Sequence, residues 1–452
     1  MKNHFETIKQ WLVTPINSYV LGLFRIFFGI LMTYQMVQYI NIGLIRNMFV
    51  LPKINFQYDY LRWIKPLPES LMNAILYIML ACAVAMTIGF FFKWACRLFA
   101  AGYAYILLLD KSIYNNHIYL FILLALLLSF TDADRSLTFR KNSSVPATIP
   151  RWQQFILQFQ IVIAYFFGGI AKTGHDWLFL CQPVKLLVEN LPKTHLLAPL
   201  LKNEAGILLL NYGGFLIDFG APFILWYKPF RKWGIIFIAL FHIFNSIIFT
   251  DIGVFPFVML GSLILFFEIS ELPVLRNIIG NVANQKTKKV NKAVHIAAYH
   301  FNTGTYVFLI VYFIFQILFP LRGYFLPNDM DWTTIGNRFS WRMKVDTRQI
   351  NEMTFIIINP VRKDSIPVEV QTFVNDMQIL NMAMDPRSVT DFAKMLKATA
   401  AERGQENTEV IARIKVSYNG REPQLFVRPD IDMTSVKYTP FNPLSWIYPV
   451  KE

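Results

Sequence analysis

Residues 153–172 read QQFILQFQIVIAYFFGGIAK. Up to Ala171 no side chain is charged, and the run closes on a lysine. A helix rises ~1.5 Å per residue, so about 20 residues of this kind cross the hydrocarbon core of a bilayer. Similar runs occupy 18–40, 72–92, 95–110, 116–131, 206–226, 233–250, 253–269 and 303–320. They predict a mainly α fold, a polytopic transmembrane helical bundle of about nine spans over 1–320. The runs at 95–110 and 116–131 are short, as expected of tilted or partly re-entrant helices. The seventh and eighth runs meet at Thr250-Asp251-Ile252, which predicts a tight helical hairpin. The first run is too long for a signal-peptide core and lacks a small-residue cleavage site, so it reads as a span.

Composition agrees. Of 452 residues 55% are hydrophobic and 16% charged, against roughly 25% charged in soluble domains. The net charge of +14 would suggest nucleic acid in a soluble protein. Here much of the Lys and Arg sits in short loops, which is a topology signal and argues against nucleic acid as a partner. Lys2 and Lys9, Lys93 and Arg97, Arg135, Arg140, Lys141 and Arg151, Lys228, Arg231 and Lys232, and Arg276, Lys286, Lys288, Lys289 and Lys292 fall on alternate loops. The positive-inside rule then predicts a cytoplasmic N-terminus and, with an odd number of spans, an extracytoplasmic C-terminus. Cys82, Cys96 and Cys181 lack CxxC spacing, so neither a disulfide framework nor a metal site is expected.

From 321 to 452 the pattern becomes that of a small, mostly β extramembrane domain. Thr354–Asn359, Val368–Val374 and Val410–Tyr418 read as strands by alternation and β-branched content. Residues 388–403 read as a helix capped by Ser388, and Asn419-Gly420 as a hairpin turn. The loop 41–71 is aromatic (Phe49, Phe56, Tyr58, Tyr60, Trp63). It reads either as an interfacial belt or as a cap over a lipid-soluble substrate.

Ionisable and amide side chains inside spans are costly and need a reason. Asn116 and His117 enter a span from an outer turn; a helix cap and a ligand contact both fit. Lys172 follows a Gly pair in YFFGGIAK (165–172). It reads either as a snorkelling lysine or as a desolvated amine able to act as a base. His242 and Asn245, at i and i+3, share a helix face and fit either an interhelical hydrogen bond or a pocket. Arg25 reads as snorkelling or carbonyl-paired. The basic loops place His117, Lys172, His242 and Asn245 all toward the outer leaflet, which predicts one shared polar pocket there for an amphipathic substrate.

FRIFFG (24–29), LLDKSIYNNHIYLF (108–121), YFFGGIAKTGHDW (165–177), FHIFNS (241–246), IGVFPFVML (252–260), NRFSWRMKV (337–345) and NPLSWIYPV (442–450) together resemble the vitamin K-dependent gamma-glutamyl carboxylases and their bacterial relatives, the horizontally transferred transmembrane domain proteins. The resemblance implies a quinol epoxidase that drives glutamate carboxylation. A lysine deprotonates reduced vitamin K (phylloquinol or menaquinol type), O2 converts it to a strong base, and that base removes a glutamate γ-proton before CO2 adds. It implies no metal, a glutamate-containing peptide or protein as partner, and membrane lipid as the quinol's medium. Lys172 and His117 become the candidate catalytic residues. Asn116, His242, Asn245 and Tyr165 become the candidate quinol-binding residues. The chain departs from the family at Gly323, where a His is usual, and at Ala171, the second place of a Lys-Lys pair. A quinone- or lipid-binding membrane protein without catalysis, or an epoxidase uncoupled from carboxylation, is the alternative. A transporter would show inverted repeats with broken helices, and none is visible.

Overall fold

The computed structural model describes residues 2–139, 148–192, 194–249, 252–268, 271, 302–361 and 364–451. Thr250 and Asp251 of the expected hairpin turn, Arg140, Lys141, Arg276 and the basic stretch 281–292 lie outside the described residues.

Helix α1 (Lys2–Val13) precedes a short ribbon in which β1 (Pro15–Asn17) pairs antiparallel with β2 (Thr148–Pro150). The bundle follows as α2 (Tyr19–Asn41), α3 (Glu69–Ile88), α4 (Phe92–Leu109), α5 (Asn116–Leu128) and α6 (Trp152–Ala171). Three short helices come next: α7 (His175–Leu178), α8 (Val184–Glu189) and α9 (Ala198–Leu201). Then come α10 (Glu204–Ile224), α11 (Lys228–Ile248), α12 (Phe255–Ser262) and the helix Thr303–Leu318. Among the described residues seven apolar helices are long enough to cross a membrane, while α5 and Phe255–Phe266 are shorter. The chain is a multi-pass membrane protein.

The short α5 has a physical consequence. Its 13 residues rise ~20 Å, well under the ~30 Å of a bilayer core. It is therefore enclosed by protein, and Leu120, Phe121, Leu124, Ala125, Leu127 and Leu128 are all buried. Arg25 is also buried and takes the carbonyl option, donating to Met86 O at 3.2 Å and Leu137 O at 2.6 Å.

The C-terminal region forms a four-stranded antiparallel sheet in the order β4-β3-β5-β6, with β3 (Arg348–Asn359), β4 (Asp364–Val368), β5 (Glu409–Tyr418) and β6 (Gln424–Leu425). Alternate β5 residues Val410, Ala412, Ile414 and Val416 are buried, the period-2 pattern of a half-buried strand. The helix Pro386–Glu402 supplies Phe392, which meets Phe355 edge-on at 4.7 Å. Asn419 and Gly420 both have positive φ and turn β5 toward β6. Two details correct the sequence reading. The strand expected over Val368–Val374 ends at Val368, and Val370–Thr372 is a 3-10 turn. The helix is capped by Asp385, which accepts from Arg387 N and Ser388 N, because Pro386 pre-sets the first helical turn upstream of Ser388.

The aromatic loop has a role that neither reading of it named. Phe56 is buried in the C-terminal core, and its backbone bonds Asp110 and Lys111 at the end of α4. Tyr60 and Trp63 are exposed. The loop is thus a rivet between bundle and C-terminal domain.

Candidate active site

Lys172 is the C-cap of α6 and is buried. Its Nζ donates to Asp218 Oδ2 at 2.6 Å and to the carbonyls of Gly168 at 3.3 Å and Met343 at 3.5 Å. The amine also lies 5.0 Å from the centre of the Trp177 ring. The Gly pair explains the encounter with Asp218. A Cβ on Gly169 would fall 2.7 Å from the backbone of Phe219, so only glycine lets α6 and α10 approach this closely. Beyond Lys172 the chain is pinned by Asp176, which accepts from Arg421 at 2.6 and 2.7 Å and from Asn419 Nδ2 at 2.7 Å. The Arg421 hydrogen bonds hold the Asp176 carboxyl below the usual carboxylate range.

Lys172 and Asp218 open onto a cavity of about 570 Å³ whose walls are almost entirely apolar. The other polar groups lining it are Tyr165, His242, Asn245 and Lys344. The Tyr165 hydroxyl and His242 Nε2 are 2.5 Å apart, while His242 Nδ1 is buried with no hydrogen-bond partner among the described residues. Leu209, Phe237, Leu240 and Ile247 line the cavity yet are exposed, so it opens sideways between α10 and α11 onto the lipid-facing surface. Nothing lies within 4 Å of where a Cβ on Gly213 would stand.

A second chamber, of about 380 Å³ and polar, adjoins the first and shares Ile252, Phe255, Met343 and Lys344 with it. Asn116 and His117 line this chamber. Phe255 is the partition: His117 stacks on it at 5.8 Å, and His242 meets it edge-on at 6.1 Å. The Asn116 amide donates to Arg342 O at 2.7 Å and accepts from the Tyr114 hydroxyl at 2.9 Å. The amide thus holds the 337–345 segment directly through Arg342 and indirectly through Tyr114, whose hydroxyl accepts from Phe339 N.

That segment is strained. Phe339, Trp341 and Lys344 all have positive φ, a conformation that costs L-residues about 1–3 kcal/mol each and collects at functional sites. Ion pairs over-determine it: Arg338 with Asp385 at 2.9 Å and Arg342 with Asp331 at 2.6 Å. Burial pushes the Asp385 carboxyl up, but Lys111 and Arg338 outweigh burial and hold it below the usual range. At Asp331 burial wins over Arg342, and the carboxyl is raised.

The HTTM domain profile matches residues 13–270, and the profile of the vitamin K-dependent gamma-carboxylase lumenal domain matches residues 301–452. The chain belongs to the vitamin K-dependent gamma-carboxylase family. No solved structure matches it. In this gamma-carboxylase family member the site straddles both matched regions. The HTTM part contributes Lys172, Asp218, Tyr165, His242, Asn245, Asn116 and His117, and the lumenal part contributes Arg342, Met343 and Lys344.

The structure therefore brings Lys172, Tyr165, His242 and Asn245 into one cavity and sets Asn116 and His117 in its neighbour. The partition at Phe255 was not legible beforehand. Asp218 is the residue that sequence reasoning missed: the sequence account of Lys172 invoked burial alone, and the structure adds a carboxylate. A lone acid inside the 206–226 run was the available signal, because such a group needs a partner. Gly323, where the resemblance led to the expectation of a His, faces Gly336 so closely that a Cβ would meet Met330 Sδ at 2.2 Å and Gly336 O at 3.2 Å. No side chain fits there without rearrangement.

Proposed function

We propose that the chain is a vitamin K-type quinol-dependent gamma-glutamyl carboxylase, with Lys172 as the base toward the hydroquinone. The observation that carries this reading is a buried amine, 2.6 Å from a buried aspartate, on the wall of an apolar cavity open to lipid. The residues present fit a prenylated naphthohydroquinone. His242 Nδ1 lacks a partner among the described residues and can meet a ring oxygen, while the lateral opening can pass an isoprenoid tail into the bilayer. When bound, the hydroquinone supplies, by its oxidation with O2, the driving force for removing a glutamate γ-proton.

The protein's own groups do the rest. Within the pair a proton can pass from Nζ to Asp218 Oδ2, which leaves Nζ a lone pair to accept the hydroquinone proton, and Asp218 orients that nitrogen. Tyr165 fixes the His242 ring through Nε2. The apolar walls exclude water, which would otherwise quench a strong base. The polar chamber, rimmed by His117, Arg342 and Lys344, receives the glutamate side chain and CO2. In this reading the N-terminus is cytoplasmic, as in a bacterial inner membrane, and the C-terminal domain (321–452) is the extracytoplasmic platform for the peptide.

The test is purified protein in nanodiscs with reduced naphthoquinone, O2 and bicarbonate, with and without a glutamate-containing peptide. Epoxide and gamma-carboxyglutamate are both expected. Quinone binding without epoxide would overturn the reading in favour of a binding protein. Epoxide without carboxylated peptide would leave an uncoupled epoxidase.

A further inference from the structure

The membrane face opposite the C-terminal domain carries a cavity of about 750 Å³ unrelated to the site above. Arg151 and Lys172 bracket the 20 residues of α6, which places this cavity roughly 30 Å from the lysine. Its floor is apolar and buried, formed by Val20, Leu225 and Phe266. Its wall is an aromatic row: Trp11 meets Phe155 edge-on at 5.1 Å, and Phe155 stacks on Trp226 at 5.8 Å. Two half-exposed tryptophans beside a cluster of cations are the signature of the headgroup level of a bilayer.

The charges at the rim do not cancel. Lys228 pairs with Glu268 at 2.9 Å, and Arg231 with Glu271 at 3.6 Å. Arg231 also donates to the carbonyls of Leu225 and Phe266, so it is a structural clamp. Arg151 is left over. Its guanidinium lies 5.0 Å over the Trp11 ring, its buried Nε has no hydrogen-bond partner, and no carboxylate lies within ion-pair distance of it among the described residues. Arg151 feels the longer-range attraction of Glu268, which is already paired with Lys228, and a half-buried cation so placed above an apolar floor suits an amphipathic anion.

We infer that this cavity binds the phosphate group of an anionic glycerophospholipid, with Arg151 on the phosphate and an acyl chain against Phe155 and Trp226. Inorganic phosphate shares the charge but would leave the apolar floor wet, so the lipid is the better occupant. Glu268 lines the same cavity and is already engaged by Lys228; it disfavours a multiply charged ligand more than a phosphodiester.

The experiment uses the full chain, delipidated in detergent, with melting followed by tryptophan fluorescence. Phosphatidylglycerol, phosphatidylcholine and inorganic phosphate are added separately. Phosphatidylglycerol should raise Tm well above the effect of phosphatidylcholine, and phosphate should leave it unchanged. Arg151→Gln should weaken phosphatidylglycerol binding about tenfold or more, as expected for a lost charge-assisted contact, while Arg151→Lys keeps most of it. Native mass spectrometry of the wild-type chain, which needs no variant to fold, should retain phosphatidylglycerol in competition with phosphatidylcholine. Equal effects of the two lipids, an undiminished effect in Arg151→Gln, or a full effect of phosphate alone would each overturn the assignment.

Discussion

Two lysines of this chain are buried against aspartates, and their surroundings differ. Lys111 lies 3.0 Å from Asp385, and Lys172 lies 2.6 Å from Asp218. Around Lys111 the carboxylate is saturated. Asp385 also pairs with Arg338 at 2.9 Å and caps the helix at Pro386. That cluster ties the end of α4 to the C-terminal domain. Around Lys172 the remaining contacts, at 3.3 and 3.5 Å, are at the long edge of hydrogen bonding, and one side of the pair faces a cavity. Lys111 faces the polar chamber and shares its carboxylate with a second cation; Lys172 faces an apolar cavity, and Asp218 serves that one cation among the described residues.

Substitutions should separate the two pairs. Asp385→Ala strands two cations and should cost about 3–5 kcal/mol, read as a loss in denaturant or thermal melts. Asp218→Asn should instead lower epoxide formation about 10- to 100-fold with a smaller drop in Tm, and Asp218→Glu should recover part of it. Equal stability losses in the two variants would erase the distinction. Gly169→Ala sharpens the comparison from the packing side. Its Cβ must displace the Phe219 backbone, one residue from Asp218, at a cost of about 1–3 kcal/mol, with lower turnover.

The smallest effect concerns Asp176. Its folded-state pKa is depressed, so the stability it contributes is present above the ordinary carboxylate value and is lost as pH falls through the lowered one. Asp176→Asn should therefore reduce Tm at about pH 6, and the gap to wild type should shrink as pH falls toward about 3. A gap that widens on acidification would contradict the assigned pairing.

Hydropathy made the seven long helices legible because crossing a bilayer sets a minimum length, but it did not show that the apolar runs at 116–131 and 253–269 form shorter helices. Alternation in β5 was equally plain. His242 and Asn245 were readable together because helical spacing puts them on one face. What could not be read are contacts between distant segments: Lys172 with Asp218, 46 positions apart, and with Met343, 171 apart. Asn116 read as a cap or a ligand residue, and its amide donates to Arg342 O and accepts from Tyr114, contacts that residue type alone does not reveal. The strain at Phe339, Trp341 and Lys344 left no mark in residue type, since none of the three is glycine.

The most direct measurement is epoxide formation by Lys172→Ala and Lys111→Ala side by side in nanodiscs, normalised to folded protein. Lys172→Ala should lose at least about 100-fold per folded molecule while still binding the quinone, although it melts below wild type because Asp218 is left without its cation, and folded Lys111→Ala should retain turnover. Wild-type turnover in Lys172→Ala would contradict the assignment of Lys172 as the base.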